Sequence, residues 1–261
     1  MTRSEFKRIC RERRLCWGVV LLEHMTPMVV RTFARAGYDW LWIDNEHAHQ
    51  SYQTIYEAAR TAEDLGVISL VRLASDDYAR IAQALDMAID GVIVPRVETP
   101  EQVRHIVDCA KYPPIGKRGF GMRASLFGER SLNMAARAKD QNEGRFLVIQ
   151  LESPRAVENI ESMIEISEGQ LDAIFYGPAD FQMKIGRPDC PNHPEVIGAA
   201  REITSVSARH NLSNGVPATS IDDARHWIDL GFNLITYKSD DQFLIDAAFD
   251  ARESLRVFED S

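Results

Sequence analysis

With 261 residues, 45% of them hydrophobic and 26% charged, the chain can bury a substantial core and matches one β/α barrel better than two small domains. A net charge of −9 without a basic run argues against a nucleic-acid partner. No stretch approaches a membrane span, and the opening Met1-Thr2-Arg3-Ser4-Glu5-Phe6 lacks the apolar centre of a signal peptide, so a cytoplasmic protein is expected. Cys10, Cys16, Cys109 and Cys190 are scattered with no C-x-x-C pair, which fits reduced structural thiols rather than a disulfide or zinc framework.

Strand-sized apolar runs alternate with segments of helical period. Residues 16–22 read as a first strand and 26–36 as a helix. Residues 40–43 read as a second strand, running into Asp44, Asn45, Glu46 and His47. An imidazole just past a strand end can reach a substrate proton, and Asp44 could orient it. The plain alternatives are a solvated surface histidine and a helix cap at Glu46. After a helix over 53–65, strand 68–72 ends on Arg72. A permanent cation there suits a carboxylate or a developing enolate oxygen, or else pairs with a structural acid. The next helix, 78–88, carries Asp86, a surface acid unless the fold turns it toward His47. Strand 91–95 and helix 99–110 follow.

The rhythm breaks near 111–131, where four glycines and a Pro-Pro pair predict a loop longer than barrel connections need. Such a loop at the mouth reads as a substrate lid, with an oligomer contact as the alternative. Strand 146–151 is closed by Glu152; strand 173–176 leads into Gly177-Pro178-Ala179-Asp180. Strands 213–216 and 233–237 complete the set. Glu152 and Asp180 thus follow neighbouring strands at the end where β/α chemistry gathers, and together could hold a hard divalent cation. The alternative is one helix N-cap and one surface acid.

About eight strand–helix units imply a parallel sheet closed into a TIM (β/α)8 barrel, with residues 1–261 as one domain. An open doubly wound sheet is disfavoured, because no G-x-G-x-x-G follows the first strand.

Several strings then carry a family resemblance. They are Asp-Trp-Leu-Trp-Ile-Asp-Asn-Glu-His at 39–47, Val-Pro-Arg-Val-Glu-Thr-Pro-Glu-Gln at 94–102, Tyr-Pro-Pro-Ile-Gly-Lys-Arg-Gly at 112–119, Val-Ile-Gln-Leu-Glu-Ser at 148–153, Gly-Pro-Ala-Asp at 177–180 and Asn-His-Pro-Glu-Val at 192–196. In that order and spacing the chain resembles the HpcH/HpaI family of metal-dependent pyruvate aldolases, from about residue 5 to 250. The resemblance implies a TIM barrel of the phosphoenolpyruvate/pyruvate type. It also implies a divalent cation, Mg²⁺ first with Mn²⁺ or Co²⁺ as alternatives, and a homo-oligomer built as a trimer of dimers. By position it makes Glu152 and Asp180 metal ligands, and gives Gln150 and the Gly177, Pro178, Ala179 and Asp180 segment the pyruvate carboxylate. Arg72 becomes the enolate stabiliser and His47 the proton acceptor. Asp86 becomes the acid that raises the basicity of His47, and Asp44 a supporting partner.

The implied partners are a small 2-keto acid and an aldehyde. The segment Arg123-Ala124-Ser125-Leu126-Phe127-Gly128 resembles the lid of 2-dehydro-3-deoxyglucarate aldolases, which favours such a substrate with Arg123 on its distal carboxylate. Aldolases for 4-hydroxy-2-oxoheptanedioate or 2-keto-3-deoxyrhamnonate are the alternative, as is an acyl-CoA lyase, which should have a more basic mouth. A non-catalytic scaffold would have little reason to keep both acids, Arg72 and His47. Three positions depart from the family pattern. His49 replaces a common proline, Lys238 replaces a usual glycine, and Asn214-Gly215-Val216-Pro217 replaces a more apolar strand. Lys238 is also the one candidate for a rival Schiff-base route.

Overall fold

A computed structural model describes residues 1–87, 89–121 and 133–259. Eight parallel strands close into a barrel in sequence order: β1 Cys16–Leu21, β2 Trp40–Asp44, β3 Ile68–Arg72, β4 Gly91–Val94, β5 Phe146–Leu151, β6 Ala173–Tyr176, β7 Ser213–Ala218 and β8 Leu234–Ser239. The TIM barrel expected from the alternation is therefore the observed fold. β2, β4, β5 and β6 are buried along their whole length, as strands sandwiched between a packed lumen and a helix shell must be.

Among the described residues the helices that follow each strand start where sequence chemistry allows. Helix α2 (Pro27–Ala36) has Thr26 accepting from Val29 N–H and Pro27 in its first turn; its end is set by Gly37 at φ 91°. Helices α3 (Tyr52–Asp64), α4 (Tyr78–Leu85) and α5 (Pro100–Ala110) come next, α5 opening with a capping box between Thr99 and Gln102. The later ones are α6 (Met134–Gly144), α7 (Pro154–Glu158), α8 (Ile160–Ile166), α9 (Pro178–Lys184), α10 (Pro194–Arg209), α11 (Ile221–Asp229) and α12 (Asp240–Leu255).

The first helix, α1 (Arg3–Arg11), was not foreseen. Only Phe6 and Cys10 of its nine residues are buried, too little for an apolar period to stand out. It plugs the barrel at the N-terminal strand ends. The Phe6 ring lies 4.9 Å from that of Phe146, Arg3 pairs with Asp90 before β4, and Lys7 pairs with Asp172 before β6.

The lumen is filled by aromatic rings rather than by the usual branched aliphatics alone. Phe175 meets Trp42 at 4.8 Å and Trp40 at 5.6 Å between centroids. Room for them comes from glycines: a Cβ on Gly215 would sit 2.1 Å from the Phe175 ring, and one on Gly18 would sit 2.4 Å from the Trp40 indole. The weakly apolar β7 is thus a fit to its neighbours, since Gly215 yields the space that Phe175 occupies.

With the N-terminal end plugged, the opposite mouth is where strand ends leave reactive side chains facing a shared space. Asp44 ends β2, Arg72 ends β3, Glu152 follows β5 and Gly177 follows β6.

Candidate active site at the barrel mouth

The second strand delivers its last residue buried. Asp44 is 0% exposed, and its Oδ1 accepts from the N–H groups of Glu46 at 2.7 Å and His47 at 3.0 Å. This Asx-type turn fixes the loop after β2 and so sets where both of those side chains go. The other oxygen of Asp44 accepts from Arg72 Nη2. Since β2 and β3 pair Asp44 with Arg72 in register, that contact follows directly from the sheet.

Arg72 is held on three sides. Its Nη1 lies 3.2 Å from Glu46 Oε2, its guanidinium carbon sits 5.0 Å over the Trp42 ring, and its buried Nε has no hydrogen-bond partner among the described residues. Glu46 Oε1 is 3.4 Å from Arg96 Nε, and Arg96 Nη2 donates to Ala74 O at 2.6 Å. Glu46 and Arg96 are mouth residues that sequence reasoning missed. Glu46 had the look of a helix cap, and Arg96 reaches the mouth from a left-handed backbone (φ 56°) that no pattern announces.

Glu152 is 5% exposed, and its carboxyl is pushed up to about 7. Burial is the largest cause, followed by the charges of Asp180 and Glu46; Arg72 opposes them. Asp180 is exposed in the first turn of α9. Beside Glu152, Gln150 is 4% exposed, and its Oε1 has no partner among the described residues. Gly177 permits this crowding, because a Cβ there would sit 2.7 Å from Glu152 Cγ and 3.1 Å from Gln150 Nε2. In the segment expected to hold a carboxylate, Gly177 N–H is already donated to Leu151 O at 3.0 Å and Pro178 has no N–H. The first backbone donors of the turn left without an intrahelical acceptor are therefore those of Ala179 and Asp180.

These residues fit a divalent cation. Two carboxylates repel one another across a partly dry site, and a buried amide oxygen stands by without a partner. Among the described residues no group of three or more His, Cys, Asp or Glu side chains converges, so the Glu152 and Asp180 pair would be a sparse ligand set with open positions.

The His47 side chain is 65% exposed with Nε2 3.9 Å from Glu46 Oε2. Asp86 caps α4 and pairs with Arg118 Nη2 at 2.5 Å, so its recorded partner is a buried arginine rather than the imidazole. Lys238 adopts φ 57° at a register shift between β1 and β8, a backbone conformation that favours glycine. Its ammonium bonds Asp246 on α12 at 2.6 Å, and that contact raises its pKa. Arg123 lies outside the described residues, as does the rest of the expected lid from 122 on. A cleft of about 760 Å³ opens at the plugged end, but it is lined by surface chains of α1 and α6 such as Arg8, Glu12, Asp140 and Glu143.

A model of the HpcH/HpaI aldolase/citrate lyase family matches residues 19–247. The chain belongs to that family. It is 38% identical over 178 residues to a 2-keto-3-deoxy-L-rhamnonate aldolase of Salmonella gallinarum, covering 67% of this chain and 64% of that relative. A protein of the same description from Salmonella typhi is 37% identical over 196 residues, covering 74% and 71%. An HpcH/HpaI aldolase from Desulfitobacterium hafniense DCB-2 superposes with a TM-score of 0.88 at 26% identity, covering 96% of each chain.

Proposed function

We propose that this member of the HpcH/HpaI family is a metal-dependent aldolase, a carbon–carbon lyase that cleaves a 4-hydroxy-2-oxo acid to pyruvate and an aldehyde. The observation that carries the reading is Glu152, a buried carboxyl pushed up to about 7 beside Asp180 and facing a locked guanidinium at the mouth. An uncompensated acid pair of this kind is stabilised by a cation, and perturbed acids of this kind cluster where chemistry occurs. Glu152 and Asp180 would hold the ion, which when bound supplies Lewis-acid polarisation of the substrate ketone.

The chain's own residues then divide the work. The Gln150 amide, with the Ala179 and Asp180 N–H groups, holds the 2-keto acid's carboxylate. His47 takes the proton from the C4 hydroxyl as the C3–C4 bond breaks. The bonding pair moves into the enolate, whose oxygen faces Arg72, a guanidinium fixed before charge develops. Asp44 keeps Arg72 in place.

For the substrate's identity, the relatives' description favours a 2-keto-3-deoxy-L-rhamnonate-type acid over the 2-dehydro-3-deoxyglucarate-like acid that the lid string suggested. A homo-oligomer is also part of the proposal. On α12 only Asp240 is buried, while Leu244, Ile245 and Phe249 are 58%, 50% and 73% exposed, an apolar face suited to a second copy. The test is pyruvate release from a panel of 2-keto-3-deoxy acids and from citramalyl-CoA, with Mg²⁺, Mn²⁺ or Co²⁺ and with chelator. Cation-dependent release from at least one sugar acid is expected; release only from acyl-CoA thioesters would replace the aldolase reading with the lyase one.

A further inference from the structure

Resting on the aldolase reading, one residue of the mouth has more contacts than any assigned role explains. Glu46 is nearly buried, its side chain 9% exposed, yet it carries a charge. Its loop is fixed at the backbone, because its own N–H and that of His47 both donate to Asp44 Oδ1. Its carboxylate is divided between two cations: Oε2 lies 3.2 Å from Arg72 Nη1, and Oε1 lies 3.4 Å from Arg96 Nε. The same Oε2 is 3.9 Å from His47 Nε2.

We propose that Glu46 is the positioning residue of the mouth: it fixes Arg72 in plane with Asp44 and links it, through Arg96, to the loops after β3 and β4. The geometry gives the reason. Asp44 alone grips one end of the guanidinium, at Nη2, and leaves rotation about that contact free. A second carboxylate on Nη1 removes that freedom, and with Trp42 beneath the plane the unpartnered Nε–H is left as a donor with a fixed direction. Arg96 serves as the counter-anchor. It bears a left-handed backbone (φ 56°) that a non-glycine residue rarely adopts. Its guanidinium spans Glu46 and Ala74 O, which ties the loop after β2 to the loop after β3. The two carboxylates of Asp44 and Glu46 also match the two guanidinia of Arg72 and Arg96 in charge.

The experiment is a double-mutant cycle on the full-length protein, with Glu46→Gln, Arg96→Gln and the pair, assayed for pyruvate release on whichever acid the wild type cleaves. Glu46→Gln keeps shape and one acceptor but loses the charge that binds both guanidinia. A fall in kcat of about tenfold or more with KM within about twofold is expected, because the ground-state carboxylate contacts lie elsewhere. The double variant should fall by clearly less than the product of the two single losses, since each single change breaks the same bridge. If Glu46→Gln proves unstable, the double variant, which leaves no unpaired charge at the bridge, gives the kcat and KM of a mouth without it. Losses confined to thermal stability, a change in KM alone, or multiplicative losses in kcat would each overturn the proposal. A wild type that cleaves none of the acids would remove the aldolase reading first and this role with it, whereas multiplicative losses in an active enzyme remove this role alone.

Discussion

At the scale of single residues, Glu152 makes two linked predictions. Its carboxyl holds a proton more tightly folded, at about 7, than unfolded, near 4.5. This group therefore stabilises the metal-free fold fully below about pH 4.5, and the contribution fades as pH rises through about 7. A divalent cation needs the ionised form, so its stabilising effect should grow over the same interval. Thermal melts with and without Mg²⁺ should show a cation-induced gain in Tm that is larger at about pH 8 than at about pH 5, and Glu152→Gln should abolish the gain while staying folded. A gain independent of pH, or one retained by the variant, would remove Glu152 from the cation site. For Arg72, lysine cannot reproduce the fork that grips Asp44 and Glu46 together. Arg72→Lys should lower kcat by about a hundredfold or more, and a change confined to KM would mean that Arg72 only binds substrate. Lys238, bonded to Asp246 and held protonated by it, is a poor Schiff-base nucleophile. Borohydride with pyruvate should leave its mass unchanged. Asp44, Arg72 and Glu152 were legible because a β/α pattern says where strands end, and strand ends aim at the mouth. Glu46 and Arg96 were not, since one depends on an Asx turn and the other on a left-handed residue.

Among the elements, the strands were the legible part. The runs 68–72, 146–151 and 173–176 were read to the residue, and the ends of the other five moved by one or two positions. Their apolar runs are long because both faces are buried, which gives a continuous signal. Helices α1 and α12 show where that signal fails. The first buries two residues and is held by ion pairs to Asp90 and Asp172, contacts between chain segments that are distant in sequence. The second packs Phe243 inward but presents Leu244, Ile245 and Phe249 outward, the face proposed above to receive a second copy. Phe249→Asp should therefore leave the monomer's circular dichroism unchanged, because the ring is 73% exposed, and should lower the sedimenting mass. A wild type that sediments as a monomer at micromolar concentration would contradict the oligomer proposal.

For the whole molecule, a plugged barrel leaves one open mouth, and charge is distributed there by strand order. The carboxylates expected to hold the cation come after β5 and β6, and the Arg72 bridge comes from β2, β3 and β4, so the two lie against each other across the lumen. In the reaction proposed above, this arrangement makes and stabilises a pyruvate enolate with the help of a divalent cation. Enolate formation can be read without knowing the aldehyde, by following deuterium uptake into the pyruvate methyl group in D₂O by NMR. Uptake catalysed by the protein with Mg²⁺ or Mn²⁺, lost in EDTA and reduced about a hundredfold or more in Arg72→Lys, is the predicted result. Undiminished uptake in chelator, or none with any of the cations, would contradict it.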